Sequence, residues 1–219
     1  MKLTAIVAFS KNYGIGFQNT IPWNIKEDRS FFRETTIENV VIMGHNTFKS
    51  LPNDESLSNR INIVLCDSLE KATENENLIF CRYSELSNVL CRFTEKHIFV
   101  IGGQKIYELF ENQYDEILVT YIDKKFNCDK YFPKISQNYT IQEYKQQTWN
   151  SVENCYFRFI KYIKTNSNYS CDKGYFSLIN NVMNNSAEIR LDRTGTGTYS
   201  IFGEHLSFDI SKNIPILTT

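Results

Sequence analysis

The sequence predicts an α/β fold, with a mostly parallel central sheet flanked by helices. Short, apolar, β-branched segments recur along the first part of the 219-residue chain, each bounded by polar residues or glycine. Stretches with helical spacing lie between several of them, and strands that alternate with helices are typical of a parallel sheet. The predicted strands are residues 3–9, 40–43, 61–65, 78–81, 98–101 and 117–122.

Two helices and an edge are predicted around these strands. One helix covers residues 25–36, with Asn24 as its N-cap and Glu27 three residues later. The other covers residues 104–111, directly after a Gly-Gly pair. Residues 155–163 alternate with a two-residue period, which predicts an antiparallel C-terminal edge. We expect the first domain to be residues 1–164.

The rest of the chain has a different pattern. Residues 165–172 are small and polar without periodicity, so they are interpreted as a linker. In residues 173–219, apolar side chains first follow the spacing of an amphipathic helix, over 175–183, and strand-like segments follow at 199–202 and 206–210. We expect an incomplete second α/β domain here.

Composition favours a soluble protein with a small-molecule ligand. The chain is 42% hydrophobic and 22% charged, with a net charge of -1 and no block of like charge that would attract nucleic acid. The six cysteines form no C-x-x-C pair, and the first apolar segment is too short for a signal sequence or a membrane span. His97 and His205 lack acidic partners at metal spacing. We expect reduced thiols, a cytoplasmic location, no membrane contact and no metal.

Asp28 is the first catalytic candidate. It follows the turn at Pro22 and Trp23 and stands beside Phe31 and Phe32. An apolar environment raises the pKa of a carboxylate, so that it can hold or relay a proton near neutral pH. The alternative is a surface aspartate in the first turn of a helix, stabilised by the helix dipole.

The segment around Asp28 resembles the active-site stretch of dihydrofolate reductase. Residues 43–50 (MGHNTFKS) resemble the cofactor-binding turn of that family, and residues 101–107 (IGGQKIY) resemble its Gly-Gly pyrophosphate turn. Residues 118–123 and 129–133 extend the match in the same order, so the resemblance runs from about residue 2 to residue 164. It implies reduction of 7,8-dihydrofolate to tetrahydrofolate with NADPH, with antifolates as further ligands.

The resemblance also implies the site residues. The catalytic residues would be Asp28, Trp23, Thr120 and Tyr107. Substrate would contact Asp28 and Thr120 together with Ile6, Val7, Phe32, Leu51, Leu57, Arg60 and Ile101. The cofactor would contact Ala8, Ile15, Gly16, Asn19, Thr20, His45, Asn46, Thr47, Cys66, Asp67, Arg82, Gly102, Gly103, Gln104, Lys105, Ile106 and Tyr107.

Several of these residues have a specific implied role and a simpler alternative. Asp28 would anchor the amino-pyrimidine edge of the pterin, and Arg60 would pair with the α-carboxylate of the substrate glutamate. Arg60 could instead be an exposed arginine before a strand, while Phe32 and Ile6 could be core residues. The Gly-Gly peptide bond is cis in the family, and residues 14–20 would form a lid over the nicotinamide.

The adenosine 2′-phosphate site departs from the family pattern. His45 and Asn46 stand where many relatives have Arg or Lys, and Cys66 and Asp67 follow the next strand. An acid beside a phosphate is unfavourable, but Arg82 and a partly charged His45 could compensate. We therefore expect NADPH, with a weaker preference over NADH than usual. Arg29 is expected to point outward.

The tail resembles the opening of thymidylate synthase. Its Arg-Thr-Gly-Thr-Gly-Thr loop begins at Arg193, which would contact the nucleotide phosphate. The family's nucleophilic cysteine in a Pro-Cys-His context has no counterpart in these residues. The order of the two segments resembles that of bifunctional enzymes. Synthase activity, and a homodimer formed through the synthase part, are therefore expected only of a longer parent protein.

Two alternatives to a dihydrofolate reductase are compatible with parts of the sequence. The first is a deaminase-reductase of riboflavin synthesis on the same fold, against which Trp23, Asp28 and Arg60 argue together. The second is a non-catalytic module in which the synthase segment mediates association through its apolar helix. The lid and the combination of acid, aromatic and Gly-Gly residues argue against this second alternative.

Overall fold

The computed structural model describes residues 2–52, 55–67, 73–75, 77–165, 188–190 and 198–200. Its strands are β1 Leu3–Ser10, β2 Gly14–Gly16, β3 Val40–Gly44, β4 Ile61–Leu65, β5 Thr73–Asn75, β6 Leu78–Cys81, β7 Ile98–Gly102, β8 Glu116–Ile122, β9 Lys130–Tyr131, β10 Tyr139–Tyr144, β11 Thr148–Asn150, β12 Cys155–Lys164, β13 Glu188–Arg190 and β14 Thr198–Ser200. The α-helices are α1 Lys26–Thr36, α2 His45–Lys49, α3 Leu86–Leu90 and α4 Gln104–Leu109.

A ten-stranded sheet organises the fold. Its strand order is β10-β12-β8-β1-β7-β3-β4-β6-β5, with β11 also paired to β12. β1 is parallel to β7 and β8, β3 is parallel to β4 and β7, and β4 is parallel to β6. The pairs β5/β6 and β11/β12 are antiparallel. The predicted fold class, a mostly parallel sheet flanked by helices, is confirmed.

The central strands are buried because their sequences are almost continuously apolar. Val40, Val41, Ile42 and Met43 in β3 are fully inaccessible to solvent. A strand with this pattern is buried on both faces, which is typical of a parallel sheet covered by helices. The register places Gly44 opposite Leu65, Leu65 opposite Cys81, and Met43 opposite Gly102. The C-terminal ends of four parallel strands therefore meet at one edge, where ligands of open α/β sheets bind.

The start of α1 differs from the prediction. Asn24 was expected to be the N-cap, but the helix begins at Lys26 with Ile25 as N-cap and no side-chain capping bond. The Asn24 amide oxygen accepts a hydrogen bond from the guanidinium of Arg29 instead, and its backbone N–H donates to the Glu153 carboxylate at 2.6 Å. The prediction of Asn24 as N-cap is wrong because Arg29 binds its side-chain oxygen and Glu153 binds its backbone N–H, so neither group is left to cap the helix. Arg29 is exposed, as expected.

The other boundaries differ by a few residues. The helix expected over 104–111 ends at Leu109, and the strand expected over 155–163 extends to Lys164. The short elements β2, β5, β9, β10, β11, β13 and α3 were not predicted. Six of these seven have five or fewer residues, too few for a periodic pattern to stand out.

The chain divides into two compact units, residues 1–134 with 143–161 and residues 135–142 with 162–219. The described part of the second unit contains β13 and β14, which pair antiparallel. The amphipathic helix predicted over 175–183 and the loop at Arg193 lie outside the described residues. No α-helix in the described ranges is long and apolar enough to cross a membrane.

Candidate active site

The Asp28 carboxylate lies half-buried in the first turn of α1. Burial raises the pKa of Asp28 above its ordinary value, against a hydrogen bond with Thr120 and the positive charge of Arg29, which both lower it. Thr120 is 1% exposed and stands opposite Ala8 in the β1/β8 pair. The acid is therefore held at the edge of the sheet by the neighbouring strand, in surroundings that favour its protonated form.

The Tyr107 phenol lies close to this acid. Tyr107 is buried on α4, and its hydroxyl donates to the backbone carbonyl of Ile6 at 2.8 Å. Burial, with the negative charge of Asp28 adding to it, raises the pKa of Tyr107 far above its ordinary value. Tyr114 donates in turn to the Tyr107 carbonyl at 3.1 Å. The phenol is thus a fixed, neutral hydrogen-bonding group between β1, α4 and Asp28.

Trp23 occupies the turn before α1. Its side chain is 8% exposed, packs in a cluster with Ile25 and Ile122, and meets the Phe126 ring edge-on at 5.3 Å. Its buried indole N–H has no acceptor among the described residues. Ala8, which pairs with Thr120, packs against the same cluster. A buried donor at this end of β1 is suited to a ligand or to a bound water.

Arg60 is a buried cation and not the exposed arginine of the alternative interpretation, since only 6% of it is accessible. Its Nε donates to the Thr36 hydroxyl at 2.8 Å, Nη1 to the Ser58 carbonyl at 2.8 Å and Nη2 to the Arg33 carbonyl at 3.3 Å. Burial and the nearby charge of Arg33 lower the pKa of Arg60. These neutral acceptors use three of the five guanidinium donors, and two remain for a carboxylate.

Apolar side chains connect Asp28 with Arg60. Ile6 belongs to a buried cluster on the sheet, against which partly buried side chains pack. These include Phe31, Phe32, Leu51, Leu57 and Ile101. The Phe32 ring lies 5.8 Å from the Arg60 guanidinium carbon, and Phe31 contacts Phe159 at 4.5 Å between ring centroids. Val7 is buried in β1. The apolar residues expected around the substrate, other than Val7, therefore belong to one cluster, and the Arg60 guanidinium lies beside its Phe32 ring.

The Gly-Gly turn links β7 to α4 through a cis peptide bond between Gly102 and Gly103. Gly102 has φ +116°, and a Cβ added there would lie 3.1 Å from the Tyr107 ring. A Cβ on Gly103 would lie 3.1 Å from the Thr47 hydroxyl, and one on Gly44 would lie 3.0 Å from Ile106. The three glycines therefore allow β3, β7 and α4 to pack closely together. Gln104 and Lys105 begin α4.

The expected lid, residues 14–20, pairs with β9 and turns back on itself. Gly14 pairs with Tyr131 and Gly16 with Lys130, while the peptide groups of Phe17 and Thr20 exchange hydrogen bonds of 2.9 Å. Asn19 has φ 61°, which suits a tight turn. Ile15 and Gly16 are half-buried, whereas Asn19 and Thr20 are exposed.

The fold brings some of the side chains expected around the cofactor phosphate close together. The Cys66 sulfur lies 3.6 Å from Nδ1 of His45, and the His45 ring meets Phe80 edge-on at 6.4 Å. Asp67 follows Cys66, and Arg82 follows β6 on the adjacent strand, where its backbone N–H donates to the Glu85 carboxylate at 2.9 Å. Asn46 is exposed and Thr47 faces Gly103. In the described part of the chain no cluster of three or more His, Cys, Asp and Glu is arranged to bind a metal ion.

Several supporting residues had no signal in the sequence. Thr36 accepts from Arg60 while its hydroxyl donates to the Phe32 carbonyl at 2.7 Å. Asp129 accepts from the backbone N–H of Gln18 at 3.3 Å and thereby ties the lid to the segment before β9. The sequence gives no signal for these contacts, because they join residues far apart along the chain or involve backbone carbonyls, which every residue has.

Comparison with known protein families gives a match for each part of the chain. Residues 2–164 match the model of the dihydrofolate reductase family, and residues 173–219 match that of thymidylate synthase. A dihydrofolate reductase of Schistosoma mansoni is 33% identical over 153 residues, covering 62% of this chain and 80% of the relative. The chain belongs to the dihydrofolate reductase family.

Larger relatives cover nearly the whole chain. The bifunctional dihydrofolate reductase-thymidylate synthase of Paramecium tetraurelia is 31% identical over 224 residues, which are 98% of this chain and 47% of the relative. That of Arabidopsis thaliana, numbered 1, is 29% identical, with 98% and 50% covered. The chain thus spans about half the length of these relatives.

A solved structure shares the fold. The dihydrofolate reductase from Enterococcus faecalis, complexed with NADP(H) and RAB-propyl, superposes with a TM-score of 0.67 at 23% identity. The match covers 75% of this chain and 97% of that one. The dihydrofolate reductase fold is therefore present in this chain.

Proposed function

We propose that this chain reduces 7,8-dihydrofolate to tetrahydrofolate with NADPH, placing a hydride on C6 and a proton on N5. The observation that carries the proposal is the half-buried Asp28 carboxylate, whose pKa is raised by burial and which Thr120 holds at the ligand-binding edge of the sheet. An amino-pyrimidine edge can form two parallel hydrogen bonds with such a carboxylate, which fixes the ring and supports proton supply.

The neighbouring residues fit the rest of this substrate. The apolar surface of Ile6, Phe32, Leu51 and Leu57 suits a pterin and a benzoyl ring, and two donors of Arg60 suit the glutamate α-carboxylate. The Tyr107 hydroxyl supplies a fixed polar group near Asp28. The Trp23 indole N–H, in the turn before α1, supplies a buried donor with no acceptor among the described residues. Antifolates that resemble the pterin would use the same surface.

The Gly102–Gly103 turn suits the pyrophosphate of a dinucleotide, because two successive glycines before α4 present backbone without side chains. The same glycines let the turn pack closely against Thr47 and Tyr107. NADPH supplies the hydride. His45, Cys66, Asp67 and Arg82 would face the adenosine phosphate, and the acid among them supports a weaker preference over NADH than a clamp of arginines would give. Residues 173–219, including Arg193, would act in thymidylate synthesis and dimer formation only as part of a complete synthase domain.

Steady-state oxidation of NADPH by the purified chain with dihydrofolate tests the proposal. We expect Asp28→Asn to lower kcat/KM about 100- to 10,000-fold, since it removes a proton-transfer group. NADPH should be used more efficiently than NADH. A folded wild-type chain that oxidises neither cofactor with dihydrofolate would contradict the proposal and favour the non-catalytic module.

A further inference from the structure

Gln104, the first residue of α4, connects the Gly-Gly turn to the segment beneath the lid. The backbone N–H of Tyr131 donates to Oε1 of Gln104 at 2.9 Å. At the other end of the same amide, Nε2 donates to Oε1 of Glu108 at 2.8 Å. Glu108 lies one helical turn along α4, so the bond within the helix fixes which end of the amide faces Tyr131.

Tyr131 belongs to a strap, residues 128–132, that runs along the base of the lid. Tyr131 and Lys130 pair with Gly14 and Gly16 in the β2/β9 ribbon. On the same side, the Asp129 backbone N–H donates to the Gly16 carbonyl at 3.0 Å. The strap and the first half of the lid therefore form one hydrogen-bonded unit, and a displacement of one displaces the other.

The strap is also packed from within the molecule. Phe132 stacks on Phe9 at 5.7 Å and meets the Tyr107 ring edge-on at 4.9 Å, and its N–H donates to the Tyr13 carbonyl at 2.8 Å. Cys128 lies so close to Gly14 that a Cβ on that glycine would overlap its sulfur. Because the strap is closely packed on both faces, a displacement of Tyr131 also displaces the lid.

We infer that Gln104 is a positioning residue that couples the Gly-Gly turn to the lid through Tyr131. Gln104 is joined directly to Gly103, so a shift of the turn when a ligand binds moves the acceptor of the Tyr131 N–H. The identity of that ligand, NADPH, rests on the proposed function, whereas the contact between Gln104 and the lid does not.

Hydrogen–deuterium exchange of the whole chain tests the coupling, with Gln104→Met compared with wild type. Methionine keeps the length of the side chain and removes both hydrogen bonds. Gln113→Met is the matched control, because Gln113 donates to the Leu109 carbonyl at 3.1 Å and is not in the strap. Without ligand, we expect Gln104→Met to exchange about two- to tenfold faster in both the strap, residues 128–132, and the lid, residues 14–20, the factor that one hydrogen bond supplies. The control should match wild type, and exchange in β1 and β7 verifies that each variant is folded.

Faster exchange confined to residues 128–132, with the lid unchanged, would overturn the inference. A rescue variant adds a second test. The double variant Gln104→Glu/Glu108→Gln keeps an oxygen acceptor for Tyr131 and a donor–acceptor pair within the helix, so its lid should exchange more slowly than that of Gln104→Met. Equal rates in these two variants would overturn the inference as well. With NADPH added, wild type should gain protection in the lid and Gln104→Met should gain less. A wild-type chain that NADPH leaves unchanged throughout would contradict the proposed cofactor, while the ligand-free comparison would still decide the role of Gln104.

Discussion

Three factors determine the protonation of Asp28: its burial, a hydrogen bond with Thr120 and the charge of Arg29. Burial favours the neutral acid, whereas the Thr120 hydrogen bond and the charge of Arg29 favour the carboxylate, and the result is a pKa above the ordinary value. Arg29 is exposed, so solvent screens its charge. Thr120, at 1% exposure, is therefore the neighbour whose removal should change the acid most.

Removing the Thr120 hydroxyl should shift the pH dependence of the reaction. A proton-supplying acid loses activity as the pH rises through its pKa, which gives a descending limb in kcat/KM. Thr120→Val keeps the side-chain shape but loses a bond that stabilises the carboxylate, so the Asp28 pKa should rise further and the limb should move to higher pH. Rate profiles between pH 5 and about 9 measure this. Thr140→Val, at another buried threonine, is the control, and a limb that moves to lower pH would be inconsistent with this account.

Replacing Arg60 should weaken binding of the substrate tail alone. Arg60→Lys cannot reproduce the donors to Thr36, Ser58 and Arg33 and still present two parallel donors to a carboxylate. We expect KM for dihydrofolate to rise about 10- to 150-fold, the value of a hydrogen bond between charged groups, with little change in kcat.

A reduced pterin without the glutamate is the test substrate for this role of Arg60. Its KM should be the same for wild type and Arg60→Lys. Arg92→Lys, at an exposed arginine next to Phe93, serves as the control variant. Equal losses with both substrates would mean that Arg60 stabilises the fold and does not bind the tail.

At the scale of elements, the Gly-Gly turn determines how closely α4 packs against the end of β7. Gly102→Ala places a side chain at φ +116° and 3.1 Å from the Tyr107 ring. We expect a loss of about 1–3 kcal/mol in the free energy of unfolding, the usual cost of such a backbone conformation. Gly16→Ala, whose Cβ would be 3.4 Å from its nearest neighbour, should lose less. Urea unfolding compares the two, and equal losses would refute the argument.

The elements that the sequence predicted are those whose pattern is determined by burial. β1, β3, β4, β6, β7 and β8 are mainly apolar segments, and all six lie within a residue or so of their predicted bounds. The strap and the short strand β9 were not predicted, because they are held by backbone bonds to the lid and not by a periodic pattern. The prediction of the α1 N-cap is wrong because of a tertiary contact: Glu153, which is far from Asn24 in the sequence, accepts a hydrogen bond from its backbone N–H.

The site was predictable where a side chain carries the chemistry. Asp28, Arg60 and the glycine pair stand out as residue types, and resemblance to a family gave them roles. The donors and acceptors that fix them, such as the Ile6, Ser58 and Arg33 carbonyls, are backbone atoms. Only the tertiary fold determines which carbonyls face a given side chain, so the sequence could not identify them.

At the scale of the molecule, a polar network lies near the start of β1, away from Asp28. The Thr4 hydroxyl donates to the Glu116 carboxylate at 3.1 Å, so its oxygen is left to accept from Nε2 of His97 at 2.7 Å. Lys2 and Lys161 lie 2.6 and 3.3 Å from the same carboxylate. Burial would raise the pKa of Glu116, but Lys2, Lys161 and Thr4 outweigh burial and hold it below its ordinary value.

The pKa of His97 is lowered too, by burial first and then by Lys2 and Lys161, against Glu116 and Asp115. Both groups therefore hold their protons less tightly in the folded chain than in the unfolded chain. The stability that they contribute is fully present above the unfolded pKa values, about 6.5 for His and 4.3 for Glu, and is lost as the pH falls through the folded ones.

Acid should therefore destabilise the chain in two steps. We expect Tm to fall between about pH 7 and pH 5 as His97 gains its proton, and again below about pH 4.5 as Glu116 does. His97→Gln, which can still donate to Thr4, should flatten the first step, and Glu116→Gln should flatten the second. Thermal unfolding across this pH range measures both, and a Tm that rises on acidification would contradict the assigned directions.

The central claim, that the site around Asp28 reduces dihydrofolate, is tested most directly by following the hydride itself. The purified chain would be given dihydrofolate and NADPH deuterated at C4 of the nicotinamide, and the product examined by NMR. The account predicts one deuterium at C6 of tetrahydrofolate, formed by wild type and nearly absent with Asp28→Asn. A wild-type product without deuterium at C6, or equal amounts of labelled product from the two proteins, would contradict it.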